Sequence, residues 1–389
     1  MKHWKRSTYF LLGIFLLCGL LNLLAWLSPA FCDAYLEHVF PVISAPLMRL
    51  SALLPFSLGF ALTIGAIVLV LVGLPVVLVL VLVRKQSRRN ILRITKNVVL
   101  WIAAYVLLTE TCNCFMLYHC TPFGETQFQG DTSITDAEML EAYNWVADEL
   151  LWYQDEVPRD ANGCMRLDGL DWEQECRTCL QKLGETYPTF SGYYPPAKEF
   201  LLAGPMRYTD TIGVYIPYTM ESNFTPLLSD AKRPTILCHE YAHLKGCIRE
   251  DEANYIAFLA CMQSENPIFR YSGLLAVMEE FMDAGYALAD ANEGTEVAAK
   301  IHDIAFSLVY SDSYNDMYEY YNREALAAVE EAESAAPEIL TDAYQTAGDV
   351  ENTVMETSLK LNGVSDGYRS YGRVVTLVTL YHREQIAAS

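Results

Sequence analysis

Acidic residues are nearly missing from the first 118 positions, which hold only Asp33, Glu37 and Glu110 against ten Lys or Arg. So little negative charge, combined with long apolar runs, excludes an ordinary water-exposed domain there and reads as membrane. The remainder has the opposite deficit. Of the chain's 48 acidic and 27 basic residues, positions 119–389 take 45 and 17, a formal charge of −28. That shortage of basic residues excludes nucleic acid as a partner, because phosphate binding needs a basic surface. Internal repeats are absent. So is a second C-x-x-C that could complete a zinc ribbon with Cys176 and Cys179. A disulfide among Cys164, Cys176 and Cys179 stays open for an exported domain. Cys238, Cys247 and Cys261 fall among apolar residues and read as buried thiols.

Three apolar runs, about 9–27, 57–83 and 98–118, are each long enough to cross the ~30 Å hydrocarbon layer at 1.5 Å per residue. Glu110 lies inside the third, where a carboxylate should face another helix or the interface. The first run exceeds a signal-peptide core and two more follow, so it reads as a retained anchor. Cys32 lacks the small preceding residue of a lipoprotein cleavage site. The loop over 84–96 carries six basic residues and no acid. The positive-inside rule places it and the N-terminus in the cytoplasm, and three crossings then put residues 119–389 outside.

The second part, 119–389, reads as one mostly helical α+β domain with a small sheet. Thr135 and Glu138 form a capping box ahead of a helix running through Leu151. Residues 158–169 form a loop and a second helix covers about 170–187. Residues 209–226 alternate through Ile212, Val214 and Ile216 and read as a strand or two, with Pro217 marking an edge. From Asn266 onward the pattern is helical over 266–292, 296–311, 316–334 and 370–384.

Between these lies a dense polar stretch. His239 and His243 are four apart, so on a helix their rings project from one face about one turn apart. Two imidazoles so placed can take adjacent corners of a tetrahedral zinc. Glu240 then lies beside the cation, where it can deprotonate a water. Pro234 suits the first turn of this helix and Gly246 its end. A catalytic zinc needs a third protein ligand, and a second helix starting near Arg249 offers Glu250. Glu252 is about 200° around that helix from Glu250, so the two cannot share one cation. Lys245 and Arg249 read as solvent-facing.

The segment HEYAH resembles the H-E-x-x-H motif of zincin peptidases. The segment EDEAN, followed by YIAFLA, is similar to the E-x-x-A-[DN] segment of membrane-linked gluzincins. The resemblance implies Glu250 as a zinc ligand and Asn254 as the residue supporting it. The layout as a whole, with N-terminal spans, a GVYIPYTME strand, H-E-x-x-H and SYGRVV, resembles an uncharacterised bacterial membrane-protein family without an assigned activity. The chain departs from gluzincins in leaving only six residues between His243 and Glu250. A metzincin glycine turn would place the third ligand at Arg249, which cannot ligate, and Glu252 is held in reserve.

The resulting expectation is a three-helix membrane region, 1–118, followed by an extracytoplasmic zincin-like domain, 119–389. It would hydrolyse peptide or protein substrates with one zinc per chain and Glu240 as the base. The strand Gly213, Val214, Tyr215 could pair with an extended peptide. The group that stabilises the oxyanion is open among Tyr215, Tyr310, Tyr371, Arg373 and His382. A different class of function is a non-catalytic envelope interaction or sensor protein with a structural or vestigial metal site. The intact Glu240 counts against it, since a structural site needs no base. Intramembrane proteolysis is disfavoured, because the HEYAH helix is too short to cross and lies far beyond the last span.

Overall fold

A computed structural model describes residues 6–334 except 129 and 210, scattered positions between 345 and 360, and residues 373–388. Among the described residues, three helices are long and apolar enough to cross a membrane: α1 (Arg6–Leu27), α2 (Leu58–Val83) and α3 (Arg88–Tyr118). Side chains such as Leu16, Leu71 and Val83 are exposed on them. That suits hydrocarbon, because helices satisfy their own backbone groups. The third begins ten residues before the apolar run, since the basic residues from Arg88 to Lys96 continue the same helix. Short helices over Pro29–His38 and Phe40–Ser51 join α1 to α2.

The chain divides into two compact units. One comprises Met1–Thr121 together with the hairpin tip Ile216–Glu221; the other comprises Pro122–Tyr215 and Ser222–Ser389. Within the first unit, Asn22 Nδ2 donates to Thr111 Oγ1 at 2.9 Å, joining α1 to α3. The hairpin tip also bonds to this unit's helices. Asn113 Nδ2 donates to Pro217 O at 2.7 Å, and Tyr218 hydrogen-bonds Thr63.

The second unit is mostly helical, with the small sheet. Helix α4 (Asp136–Tyr153) starts at the Thr135–Glu138 capping box. It buries Met139, Ala142, Tyr143, Val146, Ala147 and Leu150, the three- and four-residue spacing of one helical face. That face packs on the long helix α8 (Pro267–Ala291), with Tyr143 stacked on Phe281. Helices α5 (Trp172–Thr186), α6 (Arg233–Leu244), α7 (Glu250–Met262), α9 (Glu296–Val309) and α10 (Val374–Ala388) complete the helical core. Three short strands form the sheet: β1 (Lys198–Glu199), β2 (Gly213–Ile216) and β3 (Glu221–Phe224), in the order β1-β3-β2. β1 runs parallel to β3, with Lys198 opposite Asn223. Among the described strands β2 therefore forms an edge, and Pro217 follows it in the turn, where its missing N–H breaks no ladder.

Two sequence expectations are corrected here. The stretch 316–334 is not one helix. It breaks between Tyr318 and Arg323, where Tyr321 bridges to Leu228 and Tyr320 O accepts from Ser229 N. Lys245 is not solvent-facing. It is 9% exposed, donates to Ser191 O at 2.6 Å and Tyr193 O at 3.2 Å, and lies over the Tyr194 ring. None of the eleven cysteines forms a disulfide.

Candidate metal centre

Helix α6 is buried on every side, so its polar residues must find partners inside the protein. Pro234 occupies its first turn, where no N–H is needed, and Gly246 follows its end at φ +94°. That turn reverses the chain into α7, which packs closely against α6. The hairpin of helices carries His239 and His243 from one side and Glu250 from the other.

One ligand atom from each of His239, His243 and Glu250 lies within 4.8 Å of the other two. Glu250 Oε2 is 3.1 Å from His239 Nε2 and 3.7 Å from His243 Nε2. The far nitrogens are also held. His239 Nδ1 is 2.7 Å from Asn254 Oδ1, and His243 Nδ1 is 2.6 Å from Cys247 O. Both partners are acceptors, so each Nδ1 carries its proton and each Nε2 turns toward Glu250. This is the arrangement in which imidazoles serve a divalent cation, with outer partners fixing the tautomer.

Electrostatics follow the geometry. Burial opposes charge on Glu250, but His243 and His239 beside it hold its carboxyl well below the usual range. Burial likewise opposes charge on His243, yet the Glu250 carboxylate outweighs it and pushes the imidazole up to about 9. Glu240 behaves differently. Burial pushes it up to about 7, against the pull of His239 and His243 and with a further push from Glu250. It is 4% exposed, and its Oε2 has no hydrogen-bond partner among the described residues. An orphaned, desolvated carboxylate beside two imidazoles is poised for proton transfer.

Strand β2 lies against this wall. A Cβ at Gly213 would lie 2.4 Å from Glu240 Oε1, so only glycine fits without displacing the carboxylate. The Tyr215 ring is 5.9 Å from the His243 ring. Val214 O points instead to its neighbour strand, accepting from Asn223 Nδ2. The role of Gly213 was readable in principle, since a glycine inside a strand often marks a close approach. The Cys247 carbonyl has no signature in sequence, because any residue supplies one.

The remaining candidates are dispersed. Glu252 is buried away from the cluster and accepts from Gly124 N at 3.3 Å; burial, with Asp251 beside it, pushes it up to about 7. Arg373 pairs with Asp251 at 3.7 Å. His382 stacks on Trp145, and burial lowers its pKa. Tyr310 is 84% exposed, with its ring against Phe306. Tyr371 lies outside the described residues.

Residues 35–379 match a family described as "Protein of unknown function (DUF3810)". The chain belongs to that family. No curated protein and no solved structure matches it.

Proposed function

We propose that this member of the DUF3810 family is a membrane-anchored zinc metallopeptidase. The observation that carries the reading is the convergence of His239, His243 and Glu250 within 4.8 Å, beside a buried Glu240 oxygen that has no hydrogen-bond partner among the described residues. Two imidazoles and a carboxylate are the donor set of a catalytic zinc, which keeps a fourth position open. They are fewer than the four ligands of a closed structural site.

His239, His243 and Glu250 would hold the cation, with Asn254 and Cys247 O orienting the two rings. When bound, zinc supplies a Lewis acid and lowers the pKa of water. Glu240 takes the proton from the attacking water and later delivers it to the departing amine nitrogen. Gly213 leaves Glu240 the room to do so. Among the described strands β2 lies at the sheet edge, a position that suits strand pairing with an extended peptide and favours a peptide or protein as the substrate class. The three apolar helices anchor the protein in a lipid bilayer. The basic 84–96 loop favours a cytoplasmic side for that loop and an extracytoplasmic side for the domain.

Metal analysis of the purified full-length chain tests the reading. About one zinc per chain is expected for wild type, and none for His239→Ala. Glu240→Gln should retain the zinc and lose hydrolysis of a quenched-fluorescent peptide mixture. A zinc-free wild type, or a fully active Glu240→Gln, would refute it.

A further inference from the structure

We infer that the basic end of the helical hairpin formed by α2 and α3 is a binding surface for anionic phospholipid headgroups. The inference rests on the membrane anchoring in the reading above and not on its peptidase chemistry. Six cations gather there: Arg84 and Lys85 in the turn after α2, then Arg88, Arg89, Arg93 and Lys96 on the first turns of α3. All six are exposed. Among the described residues none of them pairs with a carboxylate, and Arg93 donates to Asn90 Oδ1 at 3.1 Å.

Their surroundings raise the cost of keeping them. A helix start is the positive end of the backbone dipole and favours acids, yet the first turn of α3 holds none. Arg89 and Arg93 are four apart and Arg93 and Lys96 three apart, so like charges adjoin along one helix face. The carboxylates of this unit are used elsewhere. Asp33 accepts from Thr121, Glu37 lies beside His38, and Glu221 accepts from the start of α2. Glu110, on the same helix, is about 21 Å farther along than Lys96 at 1.5 Å per residue. An arrangement that costs stability on its own calls for negative charge from outside the chain.

Position and composition choose the partner. α2 is apolar up to Val83 and the apolar run of α3 begins just after Lys96, so the cations cluster where hydrocarbon gives way to headgroups. Leu92 and Ile94, 46% and 60% exposed, are interleaved with them. Apolar side chains open at the same level suit a lipid boundary, and they give no hold on a polyanion in water such as RNA. Four of the six are Arg, whose planar fork takes two phosphate oxygens at once. Long apolar stems let the charges on α3 reach the headgroup level. Clusters of about four to eight such residues beside a membrane helix hold acidic lipids through charge, an attraction that fades within a Debye length.

The test reconstitutes the full-length chain in phosphatidylcholine bilayers with a trace of spin-labelled phosphatidylglycerol or spin-labelled phosphatidylcholine. The motionally restricted fraction of each label reports its contact with the protein. At ~0.1 M salt wild type should favour phosphatidylglycerol at least about threefold, and most of that preference should vanish at ~1 M, where the Debye length shrinks to ~3 Å. The triple variant Arg88→Gln, Arg89→Gln, Arg93→Gln should cut the preference below about 1.5-fold, while Lys at the same three positions keeps most of it. Unlabelled phosphatidylglycerol should raise the thermal midpoint of wild type but not that of the Gln variant. In phosphatidylcholine alone the Gln variant should be at least as stable as wild type, since it relieves repulsion. A wild-type preference below about 1.5-fold, or one that survives ~1 M salt or the Gln substitutions, would overturn the assignment. So would a labelled RNA that the Gln variant ceases to bind while its lipid preference stays. Peptide hydrolysis in the same bilayers separates the claims. A chain that selects phosphatidylglycerol but cleaves nothing sinks the peptidase reading alone. A chain that restricts neither label is not anchored, and this inference falls with that part of the reading.

Discussion

The tip of the β2–β3 hairpin and the helix that follows it each bury a glutamate, and the two are treated in opposite ways. Glu221 is 2% exposed and its oxygens are well supplied. Oε2 accepts from Gly59 N at 2.6 Å and Thr219 Oγ1 at 2.8 Å, and Oε1 accepts from Leu58 N at 3.0 Å. Those backbone groups are the free N–H donors at the start of α2, where a negative charge is stabilising. Glu240 is similarly buried, yet one of its oxygens has no hydrogen-bond partner among the described residues. A satisfied buried charge holds a fold together. An unsatisfied one costs stability, and a reason for keeping it must come from outside the folded chain.

The sharpest test of this contrast substitutes glutamine at each position. Glu240→Gln should lower hydrolysis by about 10²- to 10⁴-fold, the range for loss of a general base. It should leave the thermal midpoint unchanged or higher, because a neutral amide has no charge to desolvate. Glu221→Gln should do the reverse. Its new NH2 would face the α2 donors, costing about 1–3 kcal/mol, and the midpoint should fall while the folded fraction keeps its activity. Thermal denaturation and peptide turnover on both variants would settle it. If both midpoints fell equally, Glu240 would be structural too.

A smaller effect is expected at Asn254. Its Oδ1 fixes the His239 ring at 2.7 Å, and losing such an outer partner typically costs 10- to 100-fold in metal affinity. Asn254→Ala should show a loss of about that size in competition with a chelating dye. Asn254→Asp, which keeps the acceptor, should retain most of the affinity. Gly213→Ala should do less. The added methyl would press on the end of the Glu240 side chain, which can swing, so the stability cost should be about 1 kcal/mol. Hydrolysis should drop with zinc retained. Unchanged turnover would show that Glu240 does not need its present position.

What could be read from the sequence was local. The Thr135–Glu138 box, the proline and glycine bounding α6, and the four-residue histidine spacing each follow from backbone geometry over a few residues, and each appears as expected. So does the α7 start, which separates Glu250 from Glu252 by helical rotation. The misses came from tertiary contacts. The 316–334 pattern is helical throughout, but Tyr320 and Tyr321 are drawn off to pair with Ser229 and Leu228. Lys245 looks like a surface residue until the loop at Ser191–Tyr194 supplies two carbonyls and a ring. No short-range rule reaches across more than fifty positions.

The smallest expected effect is also the one that decides the third ligand. Sequence spacing alone leaves Glu250 and Glu252 as alternatives, and both are carboxylates at the start of α7. The structure puts them to different uses. Glu250 reaches both imidazoles, whereas Glu252 caps the turn at Gly124, much as Glu221 caps α2. Glu252→Gln should therefore leave zinc affinity within about twofold of wild type, far short of the loss expected even for an outer partner. Glu250→Gln should abolish stoichiometric zinc, because a neutral amide is a poor ligand for a divalent cation and two imidazoles alone do not complete the site. Dye competition on the pair reads the difference directly. If Glu252→Gln lost its zinc and Glu250→Gln kept it, the capping carboxylate and the ligand would have to exchange roles.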